Sequence, residues 1–278
     1  MSLAGRKIKI NGITLNVIVE GDGPSVLLLH GFPDSAYLWR NQIPALVAAG
    51  YRVIAPDLRG FGDSEAPKGK AHYRIETIIN DLLALLTFLD IGRVFLVGHD
   101  WGSIIGWAFS IRHPEHVDRY VALSFGHPRA YHEAGFGQRL RSWYMEVFQI
   151  PVLADTVIPL FDWFLLKLIT LYHAECGHWR ADLARDGRLT AGINWYRANR
   201  LGFNFGRDYA AMKTPVLGIW STGDIYLNEA QMKKSANFIQ APWRYERIQG
   251  AGHWIPLDAS ERLNKLLLNY FEQPLNKL

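Results

Sequence analysis

A chain of 278 residues, 49% apolar and 20% charged, is long enough to bury a large core, as one large α/β domain or as a domain carrying an insert. Its formal charge of +4, with no basic run able to track phosphates, argues against a nucleic-acid ligand. The single cysteine, Cys176, excludes an internal disulfide and suits a reducing compartment, so a cytoplasmic location is expected.

Residues Met1 to Ile10 lack the apolar core of a signal peptide. Lys7 to Gly21 alternates around Asn11-Gly12, a hairpin signal that predicts two strands. Ser25 to Leu29 is a solid apolar run, as in a strand covered on both faces, and it leads into His30-Gly31-Phe32-Pro33. A helix is predicted from about Ala36 to Ala49, then a buried strand over Tyr51 to Ala55. Ile75 to Leu89 places Ile75, Ile78, Ile79, Leu82, Leu83, Leu86 and Leu89 on one helical face.

Val94-Phe95-Leu96-Val97-Gly98-His99-Asp100-Trp101-Gly102-Ser103 follows: β-formers, a small-x-Asp-x-small turn, then helical spacing to about Arg112. Strand, sharp turn and helix are the setting of a nucleophile elbow, with Asp100 at its tip. A Cβ at Gly98 or Gly102 would crowd the neighbouring helix and strand. Tyr120 to Phe125 is the next strand. From His127 to about Tyr209 the strand pattern stops, and helical stretches rich in Trp, Tyr and Phe take over. The apolar segment Val157 to Tyr172 is broken by Pro159, Asp162 and Lys167, so it predicts a buried or interfacial helix and no membrane span. The alternation resumes with a strand at Pro215 to Ser221, a helix around Glu229 to Phe238, a strand at Tyr245 to Gln249 and a helix from Ser260 to Phe271.

The expected architecture is a doubly wound, mostly parallel sheet, residues 1–126 and 211–278, with a helical cap over 127–210. An insert of that size is far longer than ordinary loops, which points to a functional lid. Ligand is expected beyond the carboxyl ends of the strands.

The partners of an elbow nucleophile follow it in the order acid, then histidine. Trp220-Ser221-Thr222-Gly223-Asp224 ends one strand with a carboxylate, and Gly250-Ala251-Gly252-His253-Trp254 follows the last strand. Asp224 can fix one imidazole nitrogen of His253 and leave the other to take a proton from water. An Asp nucleophile needs no base to activate it, because a carboxylate is already ionised at neutral pH.

These residues resemble the epoxide hydrolase and haloalkane dehalogenase branch of the α/β-hydrolases over nearly the whole chain. The resemblance implies displacement by Asp100 at an sp3 carbon, then attack of His253-activated water on the resulting ester. It implies an oxyanion hole from the N–H groups of Trp101 and Phe32. It also implies two cap tyrosines that assist the leaving epoxide oxygen. These are Tyr144, in Trp143-Tyr144-Met145-Glu146-Val147-Phe148-Gln149-Ile150-Pro151, and Tyr196, in Asn194-Trp195-Tyr196-Arg197. Both motifs are intact.

A dehalogenase remains the alternative, and the indole of Trp101 could face a halide. Against it, Phe32 stands where many haloalkane dehalogenases place a halide-binding Asn. Trp101 stands where haloacetate dehalogenases place Arg, which favours a neutral substrate. A non-catalytic ligand-binding protein on this fold is the remote third reading.

Trp101, Trp195, Phe125, Phe148 and Trp254 are the expected pocket walls, suited to a bulky apolar epoxide. Asp57 and Asp63 are assigned to turns, and His127, His132, His173 and His178 to solvated or capping positions. No metal-ligand spacing or dinucleotide fingerprint occurs, so neither metal nor cofactor is expected. The expected partners are epoxide and water, with no obligatory membrane.

Overall fold

The computed structural model describes residues 4–150, 152–200 and 209–273. Pro151 of the tyrosine motif therefore lies outside the described residues. Eight strands form one sheet: β1 (Arg6–Ile10), β2 (Ile13–Glu20), β3 (Ser25–Leu29), β4 (Arg52–Pro56), β5 (Val94–His99), β6 (Val117–Leu123), β7 (Val216–Ser221) and β8 (Trp243–Ile248). Their spatial order is β1-β2-β4-β3-β5-β6-β7-β8. β1 and β2 pair antiparallel, as do β2 and β4, and every later pairing is parallel. The first hairpin turns at Asn11 and Gly12, both with positive φ, as an Asn-Gly type I′ turn requires.

The central strands are fully buried because helices cover both faces. These are α1 (Gln42–Ala48), α2 (Ile75–Phe88) and α3 (Trp101–Arg112) before the insert. The helix expected from Ala36 to Ala49 is broken into a 3₁₀ turn at Ala36–Trp39 and the shorter α1. Pro44 accounts for the break: it lacks an N–H and is tolerated in a first turn, not in a helix interior. On α2 the buried set includes Leu85, while Leu83 is only half-buried. β6 starts three residues before the expected strand. Its first turn outward carries Asp118, paired with Arg93, so charge masks the strand pattern there.

Between β6 and β7 the described residues contain seven helices: α4 (Pro128–His132), α5 (Phe136–Arg141), α6 (Trp143–Gln149), α7 (Leu153–Val157), α8 (Leu160–Ile169), α9 (Cys176–Leu183) and α10 (Arg188–Asn199). No strand occurs among the described residues of this insert. α8 buries Trp163 and Leu166 but leaves Leu160, Phe164 and Leu168 exposed, so it is a surface helix with one embedded edge. Among the described residues no helix is long and apolar enough to cross a membrane. After β7 come α11 (Glu229–Lys234), α12 (Ile255–Asp258) and α13 (Ser260–Glu272). The helix expected at Glu229 to Phe238 tightens into a 3₁₀ turn from Ser235.

Insert and sheet are stitched together by buried polar groups. Arg59 grips Asp81 with two hydrogen bonds of 2.8 and 2.7 Å, and its carbonyl accepts the indole N–H of Trp195. Asp57 accepts from the backbone N–H groups of Ala36 and Asp63 and from the Asn16 amide, so it does knit its turn. Asp63 pairs with Arg185 of the insert.

Candidate active site

Asp100 sits between β5 and α3 with φ 54° and ψ −118°, a conformation that costs energy for a residue with a Cβ. The turn is this sharp because its neighbours are glycines. A Cβ on Gly98 would lie 2.3 Å from the Gly102 carbonyl oxygen, and one on Gly102 would lie 2.1 Å from the Leu29 carbonyl oxygen. The strained turn lifts the Asp100 carboxylate clear of the sheet edge.

The backbone N–H of Phe32 donates to Asp100 Oδ1 at 2.9 Å. Asp100 Oδ2 faces His253 Nε2 at 3.6 Å, and His253 Nδ1 bonds Asp224 Oδ2 at 2.8 Å. Asp224 is itself fixed: its Oδ1 accepts the N–H groups of Tyr226 and Leu227, both at 2.9 Å. Asp100, Asp224 and His253 thus come from the ends of β5, β7 and β8, three carboxyl ends on one edge of the sheet.

The electrostatics follow from burial and pairing. Burial pulls His253 down, but the Asp224 and Asp100 carboxylates outweigh it and push its pKa up to about 10. Burial pushes Asp100 up, yet the charge of the facing His253 and the Trp101 backbone N–H hold it below the usual carboxylate range. Tyr144 and Tyr196 are raised well above the ordinary phenol value, first by burial and then by charge on each other's side of the cavity, Asp100 included. Both phenols are therefore protonated donors across the physiological range.

Tyr144 on α6 and Tyr196 on α10 face one cavity together with Asp100 and His253. Their rings lie 6.3 Å apart, centre to centre. The two helices lock each other through the residues that flank the tyrosines. The Gln149 amide donates to the Tyr196 carbonyl at 2.9 Å, and Arg197 Nε donates to the Phe148 carbonyl at 2.9 Å. Arg197 also pairs with Asp155 at 2.6 Å.

Of the expected pocket walls, Phe148 and Trp254 line this cavity, as does Phe32. Trp195, Phe125 and the indole of Trp101 do not, and they are corrected here. Trp195 is one residue from Tyr196, so a helix turns it about 100° away; it packs on Phe61 and points its N–H at Arg59. Trp101 backs Tyr196 edge-on at 5.1 Å. Phe125 packs tilted against Tyr131, ring centres 4.8 Å apart, and its carbonyl accepts from Ser103 and Trp107, which makes it a support for α3.

Four cavity residues were missed by sequence reasoning: Pro33, Ile169, Thr170 and Tyr226. Tyr226 lies two residues after Asp224, a proximity that could have flagged it. His99 was also missed. It is buried, burial holds its pKa down to about 4, and its Nε2 meets the His253 carbonyl at 2.9 Å. That contact ties the strand that ends at Asp100 to the loop of His253.

The profile of the α/β hydrolase fold family matches residues 24–260. Epoxide hydrolase 3 of Xenopus tropicalis is 32% identical, over 96% of this chain and 77% of its own length. The AB hydrolase superfamily protein YfhM of Bacillus subtilis is 34% identical, over 95% of this chain and 96% of its own. A solved structure from work on novel epoxide hydrolases in metagenomes from hot environments superposes with a TM-score of 0.87 at 26% identity, covering 99% of this chain and 100% of that one. The chain belongs to the α/β-hydrolase fold family, in its epoxide hydrolase branch.

Proposed function

We propose that this epoxide hydrolase opens an apolar epoxide to a vicinal diol through a covalent ester on Asp100. The observation that carries the reading is the meeting of Asp100, His253, Tyr144 and Tyr196 on one buried cavity. Oδ1 of Asp100 already accepts from Phe32, so Oδ2 is the free nucleophilic oxygen. It attacks an epoxide carbon, and the C–O bond of the ring breaks. The departing oxygen is an alkoxide in the making, and the two protonated phenols donate hydrogen bonds to it as charge develops.

Ester formation removes the charge of Asp100. His253 then loses one of the two carboxylates that hold its proton, so its pKa falls toward the range of a base, and that proton passes to the alkoxide by way of the phenols. Neutral His253 takes a proton from water, and the hydroxide attacks Cγ of Asp100. Negative charge gathers on Oδ1, where Phe32 and Trp101 supply N–H donors. The Cγ–Oδ2 bond breaks as His253 gives the proton taken from water to Oδ2, the diol leaves with that oxygen, and Asp100 keeps the oxygen from water and returns its acid proton to His253. Asp224 orients His253 and stabilises its protonated form. The partners in this scheme are a small apolar epoxide and water. The division of labour assigns residues 1–126 and 211–278 to the triad scaffold and 127–210 to a cap that brings the two phenols.

The test is a substrate panel and one variant. Styrene-type oxides should give diols, and chloroalkanes should release no halide. His253→Gln should take up one equivalent of epoxide and stop, with the added mass on the peptide carrying Asp100. Halide release without diol formation would favour a dehalogenase instead.

A further inference from the structure

We propose that an apolar groove outside the catalytic cavity holds the chain of an elongated epoxide, and that Tyr226 is the gate between groove and cavity. The proposal rests on the role given above to Asp100, and its test separates the two.

The space among the reacting groups is narrow. Its volume is about 20 Å³, room for roughly one water. The chain of a long epoxide must extend beyond the wall of this space. Beyond that wall lies a second cavity of about 350 Å³, within the range of ordinary ligand pockets. Three residues line both spaces: Tyr144, Ile169 and Tyr226.

Of these, Tyr226 is the movable one. Its backbone is pinned by Asp224, but its side chain is only half-buried and is latched at its tip by a hydrogen bond from its hydroxyl to the Ile169 carbonyl. Its ring lies 4.9 Å from that of His253 and 5.8 Å from that of Tyr144. Swinging it outward breaks one latch and joins the two spaces beside the reacting groups. Tyr144 carries the acid role, and Ile169 contributes the end of α8.

The outer mouth has the chemistry of a hydrocarbon site. Leu140, Trp143, Leu168 and Ile225 line it and are 58, 57, 49 and 42% exposed, a cluster that a protein rarely leaves open without a use. Among the described residues Arg141 is the one charged group lining it, and one of its guanidinium nitrogens donates to the Asp224 carbonyl at 3.0 Å. The leucine, isoleucine and tryptophan lining therefore suits an extended hydrocarbon chain.

The experiment measures kcat/KM for 1,2-epoxyalkanes from butane to dodecane. The wild-type value should rise with chain length, mainly through KM. Leu168→Trp, placed on an exposed helix position, should fill the groove and cut the dodecane-to-butane ratio at least tenfold. Tyr226→Phe keeps the ring and removes the latch, so it should raise kcat/KM for the longest chains at least threefold. A ratio unchanged by Leu168→Trp, or Tyr226→Phe kinetics equal to wild type at every length, overturns the proposal. Absence of turnover on every epoxide overturns the reading of Asp100 itself, and this inference with it.

Discussion

His253 stands between two carboxylates, and that position sets both its chemistry and its effect on stability. Its pKa near 10 in the folded state lies above the ordinary 6.5, so between those values the folded protein binds a proton that the unfolded chain releases. The stabilisation is full below about pH 6.5 and is lost as pH rises through about 10. Wild-type stability in urea should therefore fall from pH 7 to pH 10, and His253→Gln should lose most of that slope. A variant with the wild-type slope would place the titration elsewhere. The phenols give a second residue-scale prediction. Tyr144→Phe and Tyr196→Phe should each slow epoxide opening, and the double variant should nearly abolish it, since acid assistance contributes about 10²–10⁴-fold. Single-turnover ester formation is the measurement; a double variant at the wild-type rate would make both tyrosines packing residues.

At the scale of elements, the tyrosines depend on α6 and α10 holding register. Gln149 and Arg197 each reach across to the other helix's backbone, so Gln149→Ala and Arg197→Ala should loosen both phenols together. Epoxide opening should slow about 10-fold or more in each, because small misplacements of reacting groups are costly. Hydrolysis of a preformed ester should change little, and quench-flow separates the two steps.

The sequence made these elements legible to different degrees. Strands bounded by glycine and proline, the Asn-Gly hairpin and the elbow could be read directly, because each carries a local signal. The placement of Asp224 and His253 was equally legible, since each follows a strand on the edge that holds Asp100. Helix breaks were harder. Pro44 and the tightening at Ser235 split helices that periodicity joins. Pocket walls were hardest, because one residue of helical phase separates Tyr196 from Trp195. Tyr226 was hidden for a further reason: only the tertiary fold brings a residue of the β7 loop against α8.

For the whole molecule, Arg59 is one of the polar joints between sheet and insert. Its two bonds to Asp81 are buried, with each side chain about 95% or more removed from solvent, and its carbonyl anchors Trp195. Removing one partner of such a pair leaves an uncompensated charge. Asp81→Ala should cost about 3–5 kcal/mol in chemical denaturation, and the replacement of both partners by apolar residues should cost less. The joint matters for function because the triad lies on one side of it and the phenols on the other. The covalent scheme needs both sides together, and isotope transfer reports on it most directly. In a single turnover in heavy-oxygen water, the label should appear in the carboxylate of Asp100, and the diol should carry none. Label found in the diol on that first turnover would make Asp100 a general base for water, and the ester mechanism would be wrong.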